Sequence, residues 1–268
     1  MIQNHLMQVL CLIAMEPPVS FAADSIRNKK VEVLNAVRQI PEDQVHNFAA
    51  RGQYDGGWLD GDQVSSYRDE PDVDDESQTE TFAAVKLFID NWRWQDVPFY
   101  LRTGKRMTET ASQASIHFKP VPHQAFPASA TENWQPNMLV IHIQPEEGIR
   151  LHFQARKPGQ EVQLSQVDMR FTYRDTLNAT PPEAYETLLL DVMRGETTLF
   201  RRDDQVEAGW SIVQPVLNRW QDTDPEDFPN YQPGTWGPES AEVLIAQDGR
   251  SWEVPQGVEP EEEQCEED

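Results

Sequence analysis

The chain has 268 residues, 46 acidic and 22 basic, for a formal net charge of −24 at pH 7. That balance excludes a nucleic-acid binder working through a basic surface and argues against attachment to anionic membranes. Hydrophobic residues make up 38% of the chain, enough for a sizeable core. The two cysteines, Cys11 and Cys265, stand at opposite ends and support neither a disulfide framework nor a cysteine-rich zinc site. Such usage suits a reducing compartment, and a cytoplasmic location is expected.

The chain opens on an apolar stretch with two readings. Val9–Met15 followed by Ala22-Ala23 could pass for an export signal, but no Lys or Arg precedes the apolar run, and the run is too short to span a bilayer. The competing reading is an amphipathic helix with Ile2, Leu6, Val9, Leu10 and Ile13 on one arc, stopped by Pro17-Pro18. No N-cap stands ahead of it, so it reads as a helix lacking its beginning. A second helix is expected over 23–37.

Residues 81–89 and 138–143 are more continuously apolar, as central strands would be. Phe99 and Leu101 alternate with Tyr100 and Arg102. Ile149, Leu151, Phe153 and Ala155 alternate with Arg150, His152 and Gln154, and Met169, Phe171 and Tyr173 alternate with Arg170 and Thr172. The connections PEEG and KPGQE are of hairpin length, which permits antiparallel neighbours and forbids parallel crossovers. Helices follow. A capping box at 180–183 opens one over 184–194, closed by Gly195. Another runs from about 204 to 221, with Trp210, Val213, Leu217 and Trp220 as its stripe and a kink expected at Pro215. The class is therefore α+β, a large mostly antiparallel sheet flanked by helices on one side. Residues 1–252 are expected to form one domain. The last sixteen residues carry eight acids and no base, and read as a disordered acidic tail over 253–268, with a docking tail as the other reading.

Few residues suggest chemistry. Arg102-Thr103-Gly104-Lys105-Arg106 is a positive island in an acidic chain, with fork donors, a compact charge and a glycine that lets backbone approach a ligand. It suits a phosphate or a polyhydroxylated anion, and equally a hairpin turn with solvated bases. His5 borders the first apolar arc, where a histidine can be a general base or an ordinary boundary residue. No H-x-x-x-H or H-E-x-x-H occurs, so no metal site is expected. Neither dinucleotide nor P-loop glycine motifs appear.

The stretch from Asp90-Asn91-Trp92-Arg93-Trp94 to Arg102-Thr103-Gly104-Lys105-Arg106-Met107 resembles the hallmark of glucose-6-phosphate dehydrogenase. So do Gln3-Asn4-His5-Leu6, the run from Leu10 to Pro18, Arg51-Gly52-Gln53-Tyr54, Thr79-Glu80-Thr81-Phe82, Val140-Ile141-His142-Ile143-Gln144-Pro145 and Glu183-Ala184-Tyr185-Glu186. The resemblance runs in order to about Trp252.

What it implies is an enzyme that oxidises glucose 6-phosphate at C1 to 6-phosphogluconolactone and passes hydride to NADP, opening the oxidative pentose phosphate pathway. The family has an N-terminal Rossmann domain for the coenzyme, and this chain resembles the second, C-terminal domain alone. By that resemblance His5 is the general base, whose orienting Asp would stand just before Met1. Lys105, with Arg102 beside it, meets the sugar phosphate or adjacent hydroxyls, and Gln144 lies in the substrate pocket. NADP would be bound by the N-terminal domain, and a homodimer through the sheet is expected. A second family base is replaced by Thr110. Animal members bind a structural NADP using bases where this chain has His142 and His152, so that site is not expected. Two readings follow: a piece of the dehydrogenase that is inactive alone, or a non-catalytic oligomerisation or regulatory module derived from the same domain.

Overall fold

The computed structural model describes residues 1–121, 125–127, 130–131, 134–159, 162–177, 184–225 and 227–255. The chain divides into two compact units, Met1–Glu109 with Glu183–Trp252, and Thr110–Pro182 with Glu253–Asp268. The expected capping box at 180–183 and nearly all of the acidic tail lie outside the described residues.

In the first unit a π-helical turn, Ile2–Leu6, leads into helix α1 (Met7–Ala14), followed by α2 (Ala23–Ala36). Strands β1 (Ala49–Gly52), β2 (Gly57–Leu59), β3 (Asp62–Val64), β4 (Phe82–Phe88) and β5 (Pro98–Gly104) come next. The second unit holds β6 (Ser112–His117), β7 (Met138–Gln144), β8 (Gly148–Arg156), β9 (Leu164–Thr172) and the short helix α3 (Tyr173–Leu177). The chain then returns to the first unit as α4 (Ala184–Arg194), α5 (Asp203–Gln221) and α6 (Glu239–Ala246).

The α+β class is as the sequence indicates, and every ladder between these strands is antiparallel. The strands pair as three ladders, β1-β4-β5 and β2-β3 in the first unit and β6-β7-β8-β9 in the second. The PEEG connection is the hairpin between β7 and β8, as its length requires.

Strand β4 is central, and this explains a run that is apolar but for Lys86. Its odd positions Val85 and Leu87 join Met7, Leu10, Val33, Leu34 and Ile212 in one core. Its even positions Phe82 and Ala84 join Ala50, Tyr54, Tyr231 and Leu244 of α6 in another. Helices α1, α2 and α5 therefore cover one face and α6 the other, where sequence reasoning expects cover on one side. No helix is expected from the sequence over the eight residues of α6, whose buried Ala241, Leu244 and Ile245 are spaced as one helical face. Full burial of each Leu, Ile or Phe stabilises by about 1.5–3 kcal/mol relative to exposure.

Two helices keep most of their expected faces and depart from them in part. In α1 the buried residues are Met7, Leu10, Cys11 and Ala14, and a π turn explains the shift: it places one extra residue in the turn and rotates everything downstream. In α5 the expected stripe holds at Val213, which is buried, and at Leu217 and Trp220, which pack against the core, whereas Trp210 is 40% exposed and Gly209, Ile212 and Val216 are buried instead. A Cβ at Gly209 would stand only 3.3 Å from the Gln3 carbonyl, so this glycine lets the two segments approach closely and sets which face turns inward. Pro215 lies inside α5, which continues past it to Gln221.

Candidate substrate site

His5 sits on the π-helical turn with an exposed side chain. Ile2 and Leu6 of that turn pack into the same core as Leu101 of β5, so the turn is anchored beside the strand that leads to Lys105. Among the described residues no carboxylate lies within ion-pair distance of His5.

Strand β5 ends at Gly104, paired with Phe82 of β4. A Cβ on Gly104 would come within 2.7 Å of the Phe82 ring and 2.8 Å of the Met107 sulfur, so only glycine fits. Lys105 follows with its side chain exposed. Its N–H donates to the Thr81 carbonyl at 2.9 Å, and its carbonyl accepts from the Tyr231 hydroxyl at 2.9 Å. Arg106 adopts the left-handed conformation with φ of 53°, and its guanidinium pairs with Glu70 at 3.3 Å.

Arg102 faces the other way. It pairs in register with Ala84, on the side of the sheet opposite Leu101. Its guanidinium lies 5.2 Å from the centre of the Trp236 ring and 4.7 Å from that of Trp252. Burial pulls its pKa down, and the nearby Glu242 carboxylate opposes that. This places Arg102 in a packing role between two tryptophans, apart from the turn that carries His5.

Gln144 belongs to the second unit, exposed at the end of β7 and paired in register with Ser112. The first unit thus holds His5 and Lys105 on neighbouring elements, and Gln144 is not among them.

The matched motif Arg51-Gly52-Gln53-Tyr54 proves structural. Arg51 pairs with Glu80 at 3.1 Å and donates to the Trp220 and Thr223 carbonyls at the end of α5, at 2.9 and 2.6 Å. Gln53 donates to the Ser77 and Thr79 carbonyls at 3.0 Å each.

The second unit carries a polar cavity of about 630 Å³ on one face of its sheet, lined by Gln113, His142, Arg150, His152 and Asp168 among others. His152 Nδ1 lies 2.6 Å from an Asp168 carboxylate oxygen. His142 Nε2 is buried without a hydrogen-bond partner among the described residues. Burial, then the Arg150 and Arg170 charges, hold the His142 pKa below its ordinary value. No group of three or more metal-ligating side chains occurs among the described residues.

With this geometry in view, the family profile described as glucose-6-phosphate dehydrogenase, C-terminal domain, matches residues 1–253. The chain belongs to that family. It is 45% identical over 258 residues to the glucose-6-phosphate 1-dehydrogenase of Aggregatibacter actinomycetemcomitans, covering 96% of this chain and 51% of the relative. It is 46% identical over 254 residues to that of Mycolicibacterium smegmatis, covering 94% and 50%. Among solved structures, a glucose-6-phosphate dehydrogenase in complex with glucose 6-phosphate superposes with a TM-score of 0.81 at 35% identity, covering 94% of this chain and 50% of the other. The glucose-6-phosphate 1-dehydrogenase of Mycobacterium avium gives 0.76 at the same identity, covering 96% and 50%. The chain spans about half the length of the glucose-6-phosphate dehydrogenases it matches.

What sequence reasoning missed is the support of Lys105. Tyr231 and Thr81 lie far from it in the chain, and no local pattern announces a tyrosine hydroxyl aimed at a main-chain carbonyl.

Proposed function

We propose that this chain is the substrate-facing part of a glucose-6-phosphate dehydrogenase, in which glucose 6-phosphate is oxidised at C1 to 6-phosphogluconolactone. The observation that carries this reading is the fixed, exposed Lys105 beside the turn that carries His5. A lysine whose main chain is already anchored suits a phosphate oxygen or a sugar hydroxyl, since only its side chain remains to be ordered on binding. The exposed imidazole of His5 serves as general base, taking the C1 hydroxyl proton as hydride departs. Gln144 is retained as a substrate contact on family resemblance. Arg102 is assigned to holding the strand.

The coenzyme does not fit this chain. All ladders between its described strands are antiparallel, which offers no strand, glycine-rich turn and helix N-terminus to seat a dinucleotide pyrophosphate. We assign NADP to a separate domain corresponding to the other half of the relatives and expect the 268-residue chain alone to leave it unreduced. A cytoplasmic setting accords with this metabolism.

Assembly as a homodimer through the second unit is supported by its sheet. Ile149, Leu151 and Phe153 of β8 stand opposite Phe171, Met169 and Val167 of β9, one apolar face on which Ile149 is 43% and Met169 61% exposed. That face also favours the second reading, a non-catalytic oligomerisation module.

Joining the chain to the N-terminal half of the Mycolicibacterium smegmatis relative separates the two. If the chain is catalytic, His5→Asn lowers kcat by roughly 10²–10⁴. Lys105→Ala then raises KM for glucose 6-phosphate by roughly 10–150-fold. Unchanged kinetics in both variants would overturn the catalytic reading and leave the module.

A further inference from the structure

We infer that Tyr231 is a positioning residue for Lys105, so that a tyrosine in a distant segment sets the affinity of the sugar-phosphate site. This rests on the reading of Lys105 just given.

Tyr231 is 4% exposed. Its ring is wedged edge-on against Phe82 and Tyr54, with centroids 5.8 and 6.4 Å away. The hydroxyl is the middle of a chain of donors and acceptors. The Tyr54 N–H donates to Thr81 Oγ1 at 3.0 Å, Thr81 Oγ1 lies 2.9 Å from the Tyr231 hydroxyl, and that hydroxyl donates to the Lys105 carbonyl at 2.9 Å. The hydroxyl also lies 3.3 Å from the Thr81 carbonyl, and the shorter contact assigns its proton to Lys105; with that assignment Thr81 Oγ1 is the donor to the tyrosine and in turn accepts from Tyr54. The Thr81 carbonyl holds the other side of Lys105 by accepting its N–H. Both main-chain polar atoms of Lys105 are therefore bound through Thr81 and Tyr231.

The same segment grips the residues beyond. Gly234 N–H donates to the Arg106 carbonyl at 2.9 Å, and Thr108 Oγ1 donates to the Gly234 carbonyl at 2.9 Å. Arg106 holds a left-handed conformation that costs a non-glycine residue on the order of 1 kcal/mol or more unless its surroundings impose it. The 231–235 segment is what imposes it. Lys105 itself is thus held through its two main-chain polar atoms, leaving its ammonium to the ligand. A lysine on a slack loop would lose more freedom on binding the phosphate and bind it more weakly.

The test uses the isotope-labelled 268-residue chain titrated with glucose 6-phosphate and followed by NMR. Tyr231→Phe removes one oxygen and is expected to weaken binding about 2- to 10-fold, the range for one hydrogen bond. Adding it to Lys105→Ala should weaken binding no further, since a positioning residue acts only through the group it positions. An equal loss in both backgrounds, or unchanged affinity in Tyr231→Phe, overturns the inference while leaving Lys105 in the site. Unchanged affinity in Lys105→Ala, or no saturable binding by the unsubstituted chain, overturns the substrate reading and this inference with it. Should Tyr231→Phe fail to fold, Thr81→Val breaks the same relay one step earlier and is scored by the same comparison.

Discussion

The guanidinium of Arg102 lies 4.7 Å over the ring of Trp252, with Trp236 5.2 Å away. A cation between two aromatic faces and largely out of water gains about 2 kcal/mol or more. It also fastens the chain after α6 to strand β5. The strand's other face is left to the core that contains Leu101 and the turn bearing His5.

Trp252→Ala should therefore lower stability by about 2 kcal/mol or more, with a smaller loss for Arg102→Lys, which keeps the charge and gives up the planar stack. Denaturant titration of both variants measures this. Were Arg102 instead a ligand contact, Arg102→Lys would leave the unfolding midpoint unmoved and weaken glucose 6-phosphate binding.

Gly104→Ala should destabilise the first unit by about 1–3 kcal/mol, the range for forcing extra volume into a packed site. The new methyl would meet the Phe82 ring, which is fully buried, and the sulfur of the partly buried Met107. Thermal melts of parent and variant give the comparison, and an unshifted midpoint would mean the neighbours yield freely.

The second unit should lose stability on mild acidification through His142. Burial lowers the pKa of this imidazole in the fold below its ordinary 6.5, with the Arg150 and Arg170 charges adding to the effect. The unfolded chain therefore binds a proton first, and stability falls as pH drops below about 6.5 until the folded form is protonated as well. Glu146 opposes the shift and His152 adds to it. His142→Gln should flatten the stability profile between about pH 7 and 5. Equal slopes for parent and variant would refute the assignment.

Met169→Asp should convert a homodimer to monomer in light scattering at roughly 10 µM, because a charge at the middle of the β8–β9 apolar face cannot be buried unpaired. Met169 stands opposite Leu151 in the register, and neither belongs to the cavity on the polar face. A parent chain that is monomeric at that concentration would refute dimerisation through the sheet.

Much was legible in the residues alone. Period-two alternation fixed which side chains of β8 and β9 share a face, because successive residues on a strand must point oppositely. The nearly continuous apolar run at 81–89 marked a strand covered on both sides, and β4 is central. The motifs around His5 and Lys105 carried the family, which the profile over residues 1–253 establishes.

Three things were decided only by the tertiary structure. Helix faces were one, since the arcs of α1 and α5 depend on a π turn and on the close approach at Gly209, neither of which periodicity encodes. The division of labour within Arg102-Thr103-Gly104-Lys105 was another. Adjacent bases look alike in sequence, yet strand pleating sends Arg102 into tryptophans, and the chain beyond the strand leaves Lys105 exposed. The third was the relay from Tyr54 through Thr81 and Tyr231 to Lys105, which joins segments far apart in the chain. Local pattern reports on neighbours along the chain, and these contacts exist only because the packed core brings distant segments within hydrogen-bond reach.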